Sequence, residues 1–232
     1  MSKLYTENNS DYLSKNKTWH IEDSFWKSQQ IDKIITRNSL NLNSVMEIGC
    51  GAGEILAQLQ KIYSTQNITF TGYDIAPDLL AFWETRKNTH LNFFLENPLE
   101  KPLHFDLLLM IDVFEHVDDY LGFITKASRL AQYKIFHIPL DLSLLGLFRN
   151  MPLYFRKSVG HLHYFTKETA LATLEYCGLE IIDFLYTAGS IELHNQKIRT
   201  KLMNIPRRLL FKINNDWTSR ILGGYSLIVL AK

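Results

Sequence analysis

Only two cysteines, Cys50 and Cys177, occur among the 232 residues. That is too few for a disulfide framework, and a reducing compartment is the simple expectation. A charge surplus is missing as well: 25 Lys and Arg against 24 Asp and Glu leave a formal net charge of +1. The whole molecule therefore has no bias toward nucleic acid or an anionic surface. The longest apolar runs, such as LLLMI at 107–111, reach about a quarter of a membrane span. The opening stretch MSKLYTENNSDYLSKNKTW lacks the apolar core of a signal peptide. There is neither an internal repeat nor a low-complexity tract. These absences predict a cytoplasmic protein, and 46% hydrophobic residues are enough to bury one large core.

What is present is an alternation of strand-like and helix-like segments. Apolar runs at 45–48, 68–73, 91–95, 105–111, 133–138, 179–185 and 225–231 read as seven strands. Helical patterns are expected between them, at 54–62, from Pro77 to about Arg86, from about Asp118 to Ala131, and at 166–176 with Thr166 as N-cap. Such alternation implies a mainly parallel sheet covered on both faces. Ahead of it, Phe25, Trp26, Ile31, Ile34 and Ile35 recur at helical spacing.

Ligands of such sheets sit beyond the carboxyl ends of the strands. The residues there are Glu47 with Gly49–Gly53, then Asp74, Glu96 and Asp112. No GK[ST] follows the glycines, so a Walker loop is excluded. G-x-G-x-x-G fails too, because Glu54 holds the place of its last glycine, and an acid at a helix start is a poor neighbour for a pyrophosphate. Glu47 and Glu54 suit a cationic or neutral cofactor better. Asp74, about 20 residues on, has the spacing of an acid that binds both ribose hydroxyls.

E-x-G-x-G-x-G at Glu47–Gly53, Asp74, and DVFEHV at 112–117 together resemble the class I S-adenosylmethionine-dependent methyltransferases of small-molecule type. The likeness spans about residues 40–187 and the final strand. It implies a doubly wound, seven-stranded α/β sheet of Rossmann-like form, with the last strand antiparallel and helical cap insertions at about 141–160 and 188–224. Residues 1–40 would form an N-terminal helical lid and 41–232 the methyltransferase domain. The resemblance implies S-adenosylmethionine as cofactor. Gly49, Cys50, Gly51 and Gly53 would carry it, Glu47 and Asp112 would lie near its methionine part, and Asp74 would bind its ribose. Ile75 would pack on the adenine, while Glu96 and Asn97 share a place where the family has Asp.

Glu115, His116 and His161 are the candidate catalytic residues, His116 as a base by virtue of its near-neutral ordinary pKa. His161 and His163 in GHLHYF alternate, so they face opposite ways, and His161 is the one expected to face the cofactor. No metal is expected. The alternative is a site at Asp112, Glu115 and His116, with His161 or His163, resembling that of ubiquinone-pathway O-methyltransferases and small-RNA 2′-O-methyltransferases, whose first ligand is usually Glu. A third possibility is a non-catalytic, methyltransferase-like binding module.

DVFEHV stands where amino-methylating nucleic-acid enzymes carry an NPPY-type signature, so methylation at oxygen of a small or medium-sized acceptor is expected, with no large nucleic-acid footprint. Tyr12, Trp19 and Trp26 could clasp that acceptor. The insertion at 188–224 carries Lys197, Arg199, Lys201, Arg207, Arg208, Lys212 and Arg220 among apolar Leu202, Met203, Leu209, Leu210, Phe211 and Ile213. With the apolar, basic stretch at 141–160, it suits an apolar, anionic or lipid-linked acceptor, or peripheral contact with a membrane.

Overall fold

The computed structural model describes residues 18, 19, 21–193 and 198–232. Of the residues named above, Tyr12 and Lys197 lie outside these, as do the side chains of Arg199, Lys201 and Met203.

Seven strands, β1 (Ser44–Ile48), β2 (Thr69–Asp74), β3 (Leu91–Leu95), β4 (Phe105–Ile111), β5 (Ala131–Pro139), β6 (Ile181–Thr187) and β7 (Ser226–Ala231), form one sheet. Its order is β3-β2-β1-β4-β5-β7-β6. The first five strands pair in parallel, and β7 lies antiparallel between β5 and β6. The doubly wound seven-stranded sheet with an antiparallel last strand is thus present. The order reverses between β1 and β4, which opens a crevice at their carboxyl ends.

Both faces of the central strands are dry, which is why β1, β4 and β7 read as apolar runs. On one side Val45, Phe70, Leu107 and Leu230 meet α1 (Ile21–Arg37), α2 (Glu54–Ile62) and α3 (Leu80–Glu84) through Ile31, Ile34, Leu56, Leu59 and Trp83. On the other, Met46, Leu108, Phe136 and Val229 meet α4 (Tyr120–Ala127) and α7 (Lys167–Tyr176) through Ile124, Ala170 and Leu174. Burying one such side chain fully is worth about 1.5–3 kcal/mol.

Element boundaries differ from expectation where side chains intervene. The helix expected from Asp118 begins at Tyr120, because the Asp119 carboxylate accepts the Gly122 N–H at 3.0 Å and caps it. It ends as a 3₁₀ turn, Ser128–Leu130, and Ala131 already belongs to β5. The helix after Pro77 is a 3₁₀ turn followed by the single short helix α3. Thr166 does cap α7, through a reciprocal bond pair with Thr169.

The stretch at 141–160 folds as α5 (Leu144–Phe148) and α6 (Met151–Ser158); that at 188–224 holds α8 (Gly189–Glu192), α9 (Ile198–Ile213) and α10 (Asn215–Leu222). In α1 the labour is divided. Ile31, Ile34 and Ile35 enter the core, while Trp26 and Lys27, one to two turns earlier, reach the crevice. Phe25, counted with that helical face in the sequence, is exposed instead.

Candidate active site

A cavity of about 1050 Å³ opens at the carboxyl ends of β1, β2, β4 and β5. After β1 the chain turns through Gly49, Gly51 and Gly53, all at positive φ (73°, 50° and 76°). Packing explains two of them. A Cβ at Gly49 would stand 2.7 Å from Cγ2 of Val113, and one at Gly53 2.3 Å from Cε1 of Phe93. Gly51 is different, because a Cβ there would meet nothing within 4 Å. The space its side chain would fill belongs to the cavity, and that is a cradle in which a ligand can touch bare main chain.

Asp74, at the end of β2, ties this turn down. One carboxylate oxygen accepts the Gly51 N–H at 2.9 Å and the other accepts those of Ile75 and Ala76 at 2.7 and 3.1 Å. Burial still pushes its carboxyl above the ordinary Asp value, against those three bonds. Glu47 is fully buried beneath the turn. Its Oε2 has no hydrogen-bond partner among the described residues, and burial pushes its carboxyl well above the usual range. Ile75, Glu96 and Asn97 line the cavity beside them. Glu96 pairs with Lys101, and the Asn97 side chain accepts the Leu99 N–H. Cys50 is buried, its thiol pushed up by that burial. At the start of α2, Arg86 holds the Glu54 carboxylate at 2.6 Å and Gln58 donates to it.

Asp112 follows β4 at φ 54°. Both its oxygens are engaged: Oδ2 by the Lys27 ammonium at 2.8 Å and Oδ1 by Nδ1 of His137 at 2.6 Å. Burial alone would raise its pKa, but His137 and Lys27 outweigh it and hold the carboxylate well below the usual range. His137 bonds onward to the Thr187 hydroxyl at 2.9 Å. Neither Lys27 nor His137 was among the residues picked from sequence. His137 carried a usable signal, a polar side chain within the apolar run of β5; Lys27 carried none.

A second cluster lies beside the first. Glu115 is 0% exposed, and neither carboxyl oxygen has a partner among the described residues. Burial, with Asp112 and Asp141 adding to it, pushes this carboxyl well above the usual range. The His116 and His161 rings meet edge to face at 4.9 Å, and the Asp141 carboxylate accepts from Nδ1 of His161 at 2.6 Å. Potential ligand atoms of Glu115, His116 and His161 all lie within 4.8 Å of one another. Of the residues in the metal alternative, the structure brings His161 together with Glu115 and His116, while Asp112 is paired with Lys27 and His137. His163 turns away, bonding to the Val117 carbonyl at 2.9 Å and packing on Tyr120. Asp141 was missed although it follows β5, where the rule that singled out Asp74 and Asp112 would have found it.

The rest of the cavity wall comes from the insertions. Leu145, Met151, Phe155 and Val159 supply apolar surface, and Arg149 and Arg207 positive charge. Trp19 and Trp26 close it from the N-terminal side, with the Trp26 indole donating to Glu192.

The sequence matches the methyltransferase domain family over residues 19–183, well over half of the chain, and the chain belongs to that family. No curated protein is a significant match. Among solved structures, one similar to it is magnesium protoporphyrin IX methyltransferase from Synechocystis PCC 6803 with bound S-adenosylhomocysteine. The TM-score is 0.61 at 13% identity, covering 99% of this chain and 90% of that one. An S-adenosylmethionine-dependent methyltransferase from Thermotoga maritima gives 0.60 at 19% identity, covering 95% and 96%. The N-methyltransferase NodS from Bradyrhizobium japonicum gives 0.56 at 14%, covering 99% and 94%. At these identities the likeness is one of fold. Family and fold together make this an S-adenosylmethionine-dependent methyltransferase of class I. The residues present fit that cofactor: a bare main-chain cradle at Gly51, and buried Glu47 with one oxygen unpartnered among the described residues.

Proposed function

We propose that the enzyme methylates an oxygen of a small or medium-sized amphiphilic acceptor, with His161 as the base. In this reading S-adenosylmethionine lies over Gly51, its methionine end toward Glu47, its ribose toward Asp74 and its adenine toward Ile75, Glu96 and Asn97. When bound it supplies a methyl group on a sulfonium sulfur. The observation that carries the reading is the 2.6 Å bond between Asp141 and Nδ1 of His161. Asp141 holds the proton on Nδ1, which leaves Nε2 as the nitrogen able to accept one. A hydroxyl presented there loses its proton to Nε2 as its oxygen takes the methyl group, and Asp141 stabilises the imidazolium formed. Burial pushes the Glu115 carboxyl well above its usual range, which favours the neutral form that can donate a hydrogen bond to the acceptor oxygen, and Phe155 and Met151 give that part of the cavity an apolar lining. Asp112 sets the pocket's shape through Lys27 and His137.

The acceptor's apolar part is assigned to Leu145, Met151 and Val159, and an anionic group to Arg149 and Arg207. A lipid-linked hydroxyl compound has both. Two free cysteines, Cys50 and Cys177, suit the cytoplasm, and no described helix is long and apolar enough to cross a membrane.

Incubation with S-adenosylmethionine carrying a deuterated methyl group, and with lipid and aqueous fractions of a cell extract, tests this. The expected product is a labelled methyl ether or ester. Label found only on nitrogen or carbon rules the oxygen reading out.

A metal-assisted version has one observation in its favour, the grouping of Glu115, His116 and His161 around unpartnered carboxyl oxygens. A divalent cation held by these three would polarise the acceptor oxygen. Transfer that survives EDTA, with no Mn²⁺-dependent rise in melting temperature, removes that version.

A further inference from the structure

Helix α9 is amphipathic in reverse. Leu202, Ile205, Leu209 and Ile213 recur at i, i+3, i+7 and i+11 and are all exposed, Ile213 at 80%. Those positions form one stripe, and it faces outward. The side facing the protein is mixed, with Asn204 buried, Arg207 donating to the Leu222 carbonyl at 3.1 Å and Phe211 stacked on Tyr225. The neighbouring helices repeat the pattern. Phe148 in α5 is 83% exposed and Trp217 in α10 is 62% exposed. Helix α6 packs on α5, α5 on α10, and α10 on α9. Of the large apolar side chains left exposed among the described residues, α9 has five, α5 three, and α6 and α10 two each, against eight on all the rest.

The charge of this cap is as one-sided as its exposure. Residues 142–160 and 193–213 contain no Asp or Glu, yet carry nine of the chain's Lys and Arg. Arg156, Lys157, Arg208 and Lys212 are exposed. In a chain of net charge +1, this local excess is balanced by acids elsewhere, so the molecule is polarised.

We propose that this cap docks on an anionic phospholipid bilayer. The apolar stripe lies in the plane of the interface, and the bases face the lipid phosphates. Leu, Ile, Phe and Trp on one face, edged by Lys and Arg, are what such binding requires. A second copy of the chain fits poorly, because two faces rich in Lys and Arg, with Asp216 of α10 the one acid in their four helices, would meet. Helices α5, α6 and α9 also wall the cavity on their inner sides, so the docked face adjoins the acceptor end of the site.

Flotation with vesicles tests the proposal, using phosphatidylcholine alone and phosphatidylcholine mixed with phosphatidylglycerol. The wild-type chain is expected to float with the mixed vesicles and not with the neutral ones. Phe148→Gln with Ile213→Gln, neutral changes at exposed positions, should abolish flotation. Lys157→Glu with Lys212→Glu should weaken it at least about 30-fold, near a fivefold loss for each base removed. Both variants should keep the wild-type melting temperature and S-adenosylhomocysteine binding heat, which separates a lost surface from a lost fold. Wild-type protein that stays with the unbound fraction overturns the proposal. So does a Phe148→Gln, Ile213→Gln variant that floats like wild type, since adsorption would then be by charge alone. Light scattering that finds a dimer broken by that variant, without vesicle binding, assigns the face to a second copy and also overturns it.

Discussion

The strand-end turn at Glu47–Gly53 and the helical cap at 144–158 and 198–222 line one cavity and are built on opposite principles. The turn is held by main-chain bonds: Gly49 and Cys50 donate to the Tyr73 carbonyl, and Gly51 donates to Asp74. Its neighbours dictate its residues, because Val113 and Phe93 leave no room for a Cβ at Gly49 or Gly53. The cap is held by scattered side chains, such as Arg207 reaching the Leu222 carbonyl and Lys167 reaching Asp216 at 2.6 Å, and it leaves much of its apolar surface outside. The donor end is thus a local motif on a rigid scaffold. The proposed acceptor end is assembled from residues far apart in the chain.

The comparison can be broken at several points. The largest effect is expected at the acceptor end. With the acceptor found by isotope labelling, His161→Gln should lower turnover about 10²–10⁴-fold, the usual contribution of a positioned base, and leave S-adenosylhomocysteine affinity unchanged. Asp141→Asn should lower kcat with little change in KM and shift the pH profile of kcat. A loss of cofactor affinity in either variant would merge the two ends that this account separates.

Lys27→Met probes the join between them. Removing one partner of a buried pair costs about 3–5 kcal/mol. Asp112 keeps His137 and both side chains are partly solvated, so about 2 kcal/mol is expected in chemical denaturation. An unchanged midpoint would mean that the ion pair does not fasten α1 to the sheet.

Glu47 gives a smaller, pH-dependent effect. Its folded-state pKa is raised by burial, so the neutral carboxyl contributes its full stability below the ordinary value near 4.5. That contribution is lost as pH rises through the raised value. Glu47→Gln should flatten this decline in melting temperature as pH rises above that ordinary value. A decline as steep as in wild type would place the titrating group elsewhere. The smallest effect belongs to the cap: Phe148→Gln should change stability by less than about 0.5 kcal/mol, and a larger loss would mean that Phe148 is packed.

The same contrast explains what could be read from the sequence. Strands buried on both faces are continuous apolar runs, and a glycine turn with an acid about 20 residues later is a local pattern, so sheet, turn and Asp74 were legible. His161 was separable from His163 because an extended segment alternates. Lys27 joins the site only through tertiary packing, since no spacing ties it to Asp112, whereas His137 within the apolar run of β5 and Asp141 just past that strand carried signals that were passed over. The metal alternative placed Asp112 where the resembling O-methyltransferases have Glu, with His161 or His163 as a further ligand. In space, the turn after β4 sends Asp112 to Lys27 and brings His161 to Glu115. The four cap helices were visible only as two basic, apolar stretches, because their outward apolar face breaks the rule by which helices are oriented.

The central claim is that the cofactor rests on bare main chain at Gly51, and Gly51→Asn tests it most directly. Asn tolerates the left-handed backbone at φ 50°, and its Cβ would have no protein atom within 4 Å. The variant should therefore melt close to wild type. Calorimetric titration of S-adenosylhomocysteine should give one site per wild-type chain and no heat with Gly51→Asn. Wild-type heat from the variant, or none from the wild type, would contradict the account.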